Sequence, residues 1–446
     1  MRQHLLFYLL LLLLPLNALS QTRLGFEGEE SASVGIYVKN LSTGQVVAWN
    51  DTARALAPAS IMKSVTCAAA IYSLGDKFNF ITPVYLEGQA EDNSSHWDGN
   101  LVVRSCGDPT IDSELFKDRT AFSTEIVNAL KSLGIKSISG KIIIRQPMLD
   151  QGWLPGWQID DVPWPYGAGL FGFNYRDNYY SLWPATGETK PYVPDLKITL
   201  QYKKGSTDLA RGVFSDNLIV YGSDLKNPKW KVNVSMNDPA RVFTYELTQK
   251  LSAAGIKLSD KDVKPDAGKE LLVVEHYSPN ATAMLRKMMH ESHNLYAEGF
   301  LRALAPGESR EKAILAEARL LQEMGVFTGG NRVCDGSGLS RANRLQPRFI
   351  ADVLEAAALG ERGSAFVSTF PRAGKEGTVR NLLAKTSMAG RFALKSGSMS
   401  GVQCYAGFKL DANGKPTHTV VIMVNSFFCP RAQVRASIEK LLLDIK

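Results

Sequence analysis

The stretch Ala57-Pro58-Ala59-Ser60-Ile61-Met62-Lys63-Ser64-Val65 decides how the rest of the chain is read. Ile61, Val65, Ala68 and Tyr72 recur at helical spacing directly behind Pro58-Ala59, so a buried helix is expected to start at Ser60. On its first turn Ser60 and Lys63 face the same way, which suits a nucleophile and its base. A lysine in partly apolar surroundings has its ammonium form disfavoured, and its amine can then take a serine proton near neutral pH. The plainer alternative is a helix cap followed by a solvated lysine. Ser-x-x-Lys also occurs at Ser223/Lys226, Ser309/Lys312 and Ser437/Lys440, but only the Ser60 copy opens a helix whose following residues are largely apolar.

Two further patterns lie downstream. Ser-x-Asn occurs at Ser215/Asn217, Ser235/Asn237, Ser278/Asn280 and Ser292/Asn294. The Ser292 copy sits at a break between two helical stretches, where a hydroxyl can relay a proton and an amide can hold a carbonyl. The other three fall in or beside a strand-rich region and read as turn formers, with Ser215-Asp-Asn217 the nearest decoy. Lys-[Ser/Thr]-Gly occurs once, at Lys395-Ser396-Gly397, on a strand. A cation and a hydroxyl on a strand edge can grip a carboxylate through charge-assisted hydrogen bonds, and a glycine lets an extended peptide approach. Alone, this motif reads equally as an ordinary strand lysine before a bulge. In this order, the three form the set of penicillin-binding proteins and related β-lactamases.

Around these motifs the texture of the chain changes twice. Residues 34–38 and 45–49 read as a hairpin through Ser42-Thr43-Gly44. From about 81 to 269, short apolar runs (101–103, 142–144, 198–200, 218–220, 232–234) alternate with Gly, Pro, Asp and Asn, and 147–184 is dense in Trp, Tyr, Gly and Pro, as a site wall would be. Helical periodicity returns at Met284, breaks near Ser292 and resumes at Tyr296; further helices are expected over 311–324 and 347–359. Strands at 392–395, 402–410 and 417–425 and a helix over 431–445 close the chain. Strands and helices at both ends with a strand-rich middle imply one domain split by an insertion.

The 446 residues leave room for two or three domains. Arg2, the apolar run 5–14 and Ala18-Leu19-Ser20 read as a cleaved signal peptide over 1–20; a membrane anchor is the alternative, but the run is broken at Pro15 and Asn17, and no later stretch is long and apolar enough to span. Export would permit disulfides, yet Cys67, Cys106, Cys334, Cys404 and Cys429 are odd in number and widely spaced, and buried free thiols are the simpler reading. The net charge of +7 comes from scattered Lys and Arg, which suits an anionic cell-wall polymer better than nucleic acid. His290-Glu-Ser-His293 is one residue short of a zinc-protease motif, and neither a Gly-x-Ser-x-Gly elbow nor a phosphate-binding loop is present, so cofactor-free, metal-free chemistry is expected.

With its three motifs, Gly107-Asp-Pro-Thr110, Ser292-His-Asn-Leu-Tyr-Ala-Glu298, Asp335-Gly-Ser-Gly-Leu-Ser-Arg341 and Phe370-Pro-Arg-Ala-Gly374 followed by Gly377-Thr378, the sequence resembles the class C low-molecular-mass penicillin-binding proteins, D-alanyl-D-alanine carboxypeptidases and endopeptidases. The resemblance extends over nearly the whole mature chain. It implies an α/β (α+β) fold of the serine β-lactamase/D,D-peptidase type, an antiparallel sheet flanked by helices beside a helical cluster. The peptidase domain would comprise 21–82 and 273–446, with inserted domains over 83–108 plus 184–272 and over 109–183. The resemblance also implies that Ser60 attacks the penultimate D-alanine carbonyl, Lys63 takes its proton and Ser292 passes it to the leaving D-alanine. The amides of Ser60 and Ser398 would form the oxyanion hole. Asn294 would hold the substrate amide, and Lys395 and Ser396 beside Gly397 its carboxylate. Ser337, Leu339, Arg341 and Met399 would line the cleft, and Trp157 and Asp160 would receive the amino end of a diaminopimelate side chain. The partners implied are peptidoglycan peptides and, as covalent inhibitors, β-lactams, in the periplasm.

Two departures stand out. Ser396 replaces the commoner threonine, losing a methyl that restricts the hydroxyl, and Pro165 stands where relatives carry an aromatic residue. Two other functions share these motifs. A β-lactamase would need a deacylating carboxylate, and no suitable Glu-x-x-x-Asn is found; a non-catalytic cell-wall binding protein would be expected to have lost the nucleophile or its lysine.

Overall fold

The computed structural model describes residues 21–445 apart from 91–94, 214 and 264–268; the expected signal peptide, 1–20, lies outside them. The first two strands and the last three build one antiparallel sheet from the two ends of the chain, its central strands buried almost continuously because helices cover both faces. Strands β1 (Ser33–Asn40) and β2 (Val46–Asn50) form the expected hairpin, and β3 (Phe392–Met399), β4 (Val402–Leu410) and β5 (Pro416–Asn425) complete the order β3-β4-β5-β1-β2. The pairing of Val34 with Val424 and of Val38 with Val420 joins residues nearly four hundred positions apart. This leaves β3, which carries Lys395-Ser396-Gly397, as a free edge.

One face of the sheet is covered by helix α1 (Met62–Leu74) and its neighbours. Every residue from Met62 to Ile71 is buried, so α1 is a central helix rather than an amphipathic one. Around it pack α2 (Ala281–Glu291), α3 (Asn294–Ala303), α4 (Arg310–Glu323) and α5 (Pro347–Leu359). A short helix α6 (Gly363–Ser368) follows, and α7 (Arg431–Asp444) covers the other face of the sheet. Asn280 caps α2 by accepting the Ala283 amide, and Ser309 caps α4 by accepting that of Lys312, so the Ser309/Lys312 pattern is a helix cap. The Ser215 hydroxyl accepts the amide of Asn217, the local turn expected of that decoy.

Ser60 does not lie on the first turn of an α-helix as expected. It sits in a 3₁₀ turn, Ala59–Ile61, entered through Ala59 at φ +47°, and the α-helix begins only at Met62. Two glycines explain why the turn can be so confined. A Cβ on Gly338 would lie 1.9 Å from the Ala59 carbonyl oxygen, and one on Gly397 would lie 2.6 Å from the Pro58 oxygen and 3.0 Å from the Ser60 nitrogen. Only glycine lets both the 335–340 loop and strand β3 close on the turn that carries Ser60.

The inserted region forms separate sheets. Strands Ile81–Ala90, His96–Arg104, Ser137–Ile138, Ile142–Arg145, Lys257–Leu258 and Glu270–Tyr277 make one; Tyr179–Trp183, Glu188–Lys190 and Val232–Ser235 a second; Lys197–Tyr202, Asp208–Arg211 and Asn217–Gly222 a third. The strands at 137–138 and 142–145 pair with His96–Arg104, so the first sheet crosses the boundary between 83–108 and 109–183 suggested by the sequence. No disulfide joins any of this. All five cysteines are free, but only Cys67 and Cys404 are buried and Cys106 is exposed, a correction to five buried thiols. Among the described residues no helix is long and apolar enough to cross a membrane.

Phe408 of β4 is fully buried between Phe366 and Phe370, ring centroids 6.3 and 5.6 Å away. Phe408→Ala should cost about 3–5 kcal/mol of stability, read as a lowered midpoint in urea unfolding.

Candidate active site

A groove of ≈ 810 Å³ runs between the edge of β3 and the helical cluster, with Ser60 on its floor. Lys63, one turn along from Ser60, has its side chain wholly buried, and its Nζ lies 3.0 Å from Ser60 Oγ. Its other hydrogen bonds go to Asn294 Oδ1 and the Ser337 carbonyl, both at 2.6 Å. Burial lowers its pKa to about 7, against the opposing pull of Asp335 and Glu298. Near neutral pH the amine is therefore free in a large fraction of molecules, and the short contact to Ser60 Oγ becomes one through which it can receive the hydroxyl proton.

Ser292 is the C-cap of α2, at φ 58°, and α3 starts two residues later at Asn294. The helix break inferred from the sequence thus turns Ser292 into the groove. Lys395 donates to Ser292 Oγ at 2.9 Å and to the Ser396 carbonyl at 2.7 Å, and its own pKa is pushed well below the ordinary lysine value by burial and by Lys63. Asn294 bridges the two sides of the site: its Oδ1 accepts from Lys63 while its Nδ2 donates to the carbonyl of Tyr166 at 2.7 Å. The Ser396 hydroxyl meets Thr378 Oγ1 at 2.7 Å, a contact that supplies some of the restraint the missing methyl would have given.

The remaining sequence-derived residues divide. Leu339, Arg341, Ser396, Ser398 and Met399 line the groove, and Gly397 backs it against Ser60. Ser337 does not line it; its side chain is buried, and it contributes its carbonyl to Lys63 from behind. Trp157 is buried too, its indole N–H donating to Asp335 at 2.9 Å, and is not free to meet a ligand. Asp160 is exposed and outside the groove; its neighbour Asp161 lines it, accepting from the Tyr166 hydroxyl at 2.9 Å. Tyr166 also lines the groove, so an aromatic wall stands one residue beyond Pro165. Thr378, of the Gly377-Thr378 pair, also lines the groove, as do Glu291, Arg431 and Arg435, which carried no signal of their own apart from the i, i+4 spacing that puts the two arginines on one face of α7.

A buried amine against a serine hydroxyl, beneath a sheet edge that brings a second amine to a second serine, is apparatus for acyl transfer through a serine ester, on a fold of the β-lactamase-like D,D-peptidase type. Residues 23–441 match the D-Ala-D-Ala carboxypeptidase 3 (S13) family, and the chain belongs to that family. It is 27% identical to the D-alanyl-D-alanine carboxypeptidase DacB of Haemophilus influenzae, over 86% of this chain and 84% of the relative. It is 26% identical to a D-alanyl-D-alanine carboxypeptidase of Actinomadura sp. (strain R39), over 88% and 78%. The crystal structure of penicillin binding protein 4 from Haemophilus influenzae superposes with a TM-score of 0.79 at 24% identity, covering 93% of this chain and 97% of that one; its complex with a novel β-lactam superposes at 0.73.

The Lys63 amine, 3.0 Å from Ser60 Oγ and with a pKa of about 7, predicts that the rate of Ser60 acylation rises with pH through a midpoint near 7 and that Lys63→Met abolishes the reaction at every pH. Stopped-flow acylation across the pH range checks both.

Proposed function

We propose that this serine D-Ala-D-Ala carboxypeptidase acts on peptidoglycan stem peptides or their cross-links in the cell envelope, as an exported, periplasmic protein, and that β-lactams acylate it. The observation that carries the reading is the placement of Ser60, Lys63, Ser292 and Lys395 in one cluster, two buried amines each against one hydroxyl at the groove. Ser60 Oγ attacks the penultimate D-alanine carbonyl as Lys63 takes its proton. The peptide bond breaks, and the proton returns to the leaving amine through Ser292, whose hydroxyl Lys395 holds. The closeness of Gly397 to the Ser60 nitrogen supports an oxyanion hole from the amides of Ser60 and Ser398, usually the largest single stabilising element of such a site. Water then hydrolyses the ester by the same route in reverse.

Asn294 holds the substrate amide with its Nδ2, and Ser396 takes the terminal carboxylate at the groove surface, with the buried Lys395 behind it. The acidic wall passes from Asp160 to Asp161: a substrate side chain ending in an ammonium group would meet Asp161 beside Tyr166 in a groove also lined by Leu339, Arg341 and Met399. The strand-rich insertion, which we place as two small domains within 83–272, supplies that wall and so governs access.

Purified mature protein treated with a fluorescent penicillin should form one long-lived adduct, seen by intact mass and absent in Ser60→Ala. Rapid release of hydrolysed drug would make the protein a β-lactamase, and no adduct on folded protein would reduce it to a binding protein. Asp161→Asn should raise KM about 5-fold for peptides with a free side-chain amine, with kcat unchanged, as loss of one half-exposed ion pair of about 1 kcal/mol implies.

A further inference from the structure

Behind Lys63, on the side away from the groove, three carboxyl groups are buried together: Glu298 of α3, Glu317 of α4 and Asp335 at the head of the 335–340 loop. No step of the proposed reaction uses them, and burying three acids is costly unless something requires them. Two are fully engaged. Glu298 Oε1 accepts the Ser337 amide at 2.9 Å and Oε2 the Gly336 amide at 3.3 Å. Asp335 accepts the amides of Gly338 at 2.8 Å and Ser340 at 2.6 Å, the Asn343 side chain at 2.8 Å and the Trp157 indole at 2.9 Å. On the loop's other side, Thr66 donates to the Gly336 carbonyl at 2.9 Å and Lys63 to that of Ser337 at 2.6 Å. The loop is thus held by its amides on two carboxylates and by its carbonyls on helix α1, while Gly338 abuts Ala59.

We propose that Glu298 and Asp335 are positioning residues for the base: they fix the Ser337 carbonyl against Lys63 and, through their negative charge, set how readily Lys63 gives up its proton. The inference rests on Ser60 and Lys63 being the acylating pair. The other groups facing Lys63 are known. Asn294 and Ser60 are neutral, Lys395 of β3 repels it, and His293 lies at the start of α3. Arg310, at the start of α4, favours ionised Glu298, whereas burial and Asp335 raise the pKa of Glu298 to about 7; that of Glu317 is raised by burial to about 8. Glu298 and Lys63 therefore titrate in the same range, and each ionisation of Glu298 makes the Lys63 ammonium harder to discharge. Trp157 extends the device into the insertion, since its indole is one of the donors that keep Asp335 in place.

The sign follows directly. Removing a negative charge beside Lys63 lowers its pKa, so the free amine persists to lower pH. The probe is benzylpenicillin, and the measurement is the second-order acylation rate against pH for wild type, Glu298→Gln and Asp335→Asn, with thermal melts for folding. The acid-side midpoint should move to lower pH in both variants, and KM for a D-Ala-D-Ala peptide should stay within about 2-fold while kcat changes. The wild-type limb should also be broader than a one-proton curve and narrow to one proton in Glu298→Gln. A midpoint unmoved in a folded variant, with the rate lowered equally at every pH, would show a scaffold role only and overturn the proposal; so would a one-proton limb in the wild type, which needs no variant to fold. Wild-type protein that forms no adduct at all would instead overturn the assignment of the acylating pair.

Discussion

The Lys63 amine is held out of solvent and yet fully hydrogen-bonded, and most of the structure follows from that requirement. Water near Lys63 would restore its ordinary basicity, so α1 is buried from Met62 to Ile71 and helices α2 to α5 pack around it. An unpaired buried amine would be expensive, so three oxygens converge on Nζ from three parts of the chain: Ser60 in the turn, Asn294 at the start of α3 and Ser337 in the 335–340 loop. Each of those oxygens has to be held in turn, which accounts for the glycines at 338 and 397 and for the buried acids behind the loop.

The same requirement explains how the insertion takes part in a site built mainly by the split domain. Its segment from Trp157 to Tyr166 reaches both Asp335 and Asn294, the two groups that organise the surroundings of Lys63. A further link runs from Asp177, in a run of three left-handed residues (Arg176, Asp177 and Asn178), to His293 between Ser292 and Asn294, 3.5 Å away. Such non-glycine strain persists only where the surroundings enforce it. One stretch of the insertion, from Trp157 to Tyr166, thus both lines the groove and partners Asp335 and Asn294.

The groove lining carries both signs of charge, Asp161 and Glu291 as well as Arg341, Arg431 and Arg435, together with the neutral hydroxyls of Ser396, Ser398 and Thr378.

The sequence by itself singled out Ser60, Lys63, Ser292 and Lys395, which the fold brings together, and most of the strands and helices that carry them, because hydrophobic periodicity and the motifs at Ser60, Ser292 and Lys395 are local signals. Even the decoys at Ser309 and Ser215 were separable by their local settings. It could not say that Ser60 lies in a strained 3₁₀ turn ahead of its helix, since that turn is imposed by Gly338 and Gly397 from distant segments. Nor could it choose between Asp160 and Asp161, because adjacent residues in an irregular segment have no periodicity to fix which one faces the groove. Ser337 and Trp157 were picked as cleft residues and proved to act from behind it, and the roles of Glu298 and Asp335 appear only when four segments meet around one amine. Burial and hydrogen-bond partnership are properties of that meeting, and only the tertiary structure decided them.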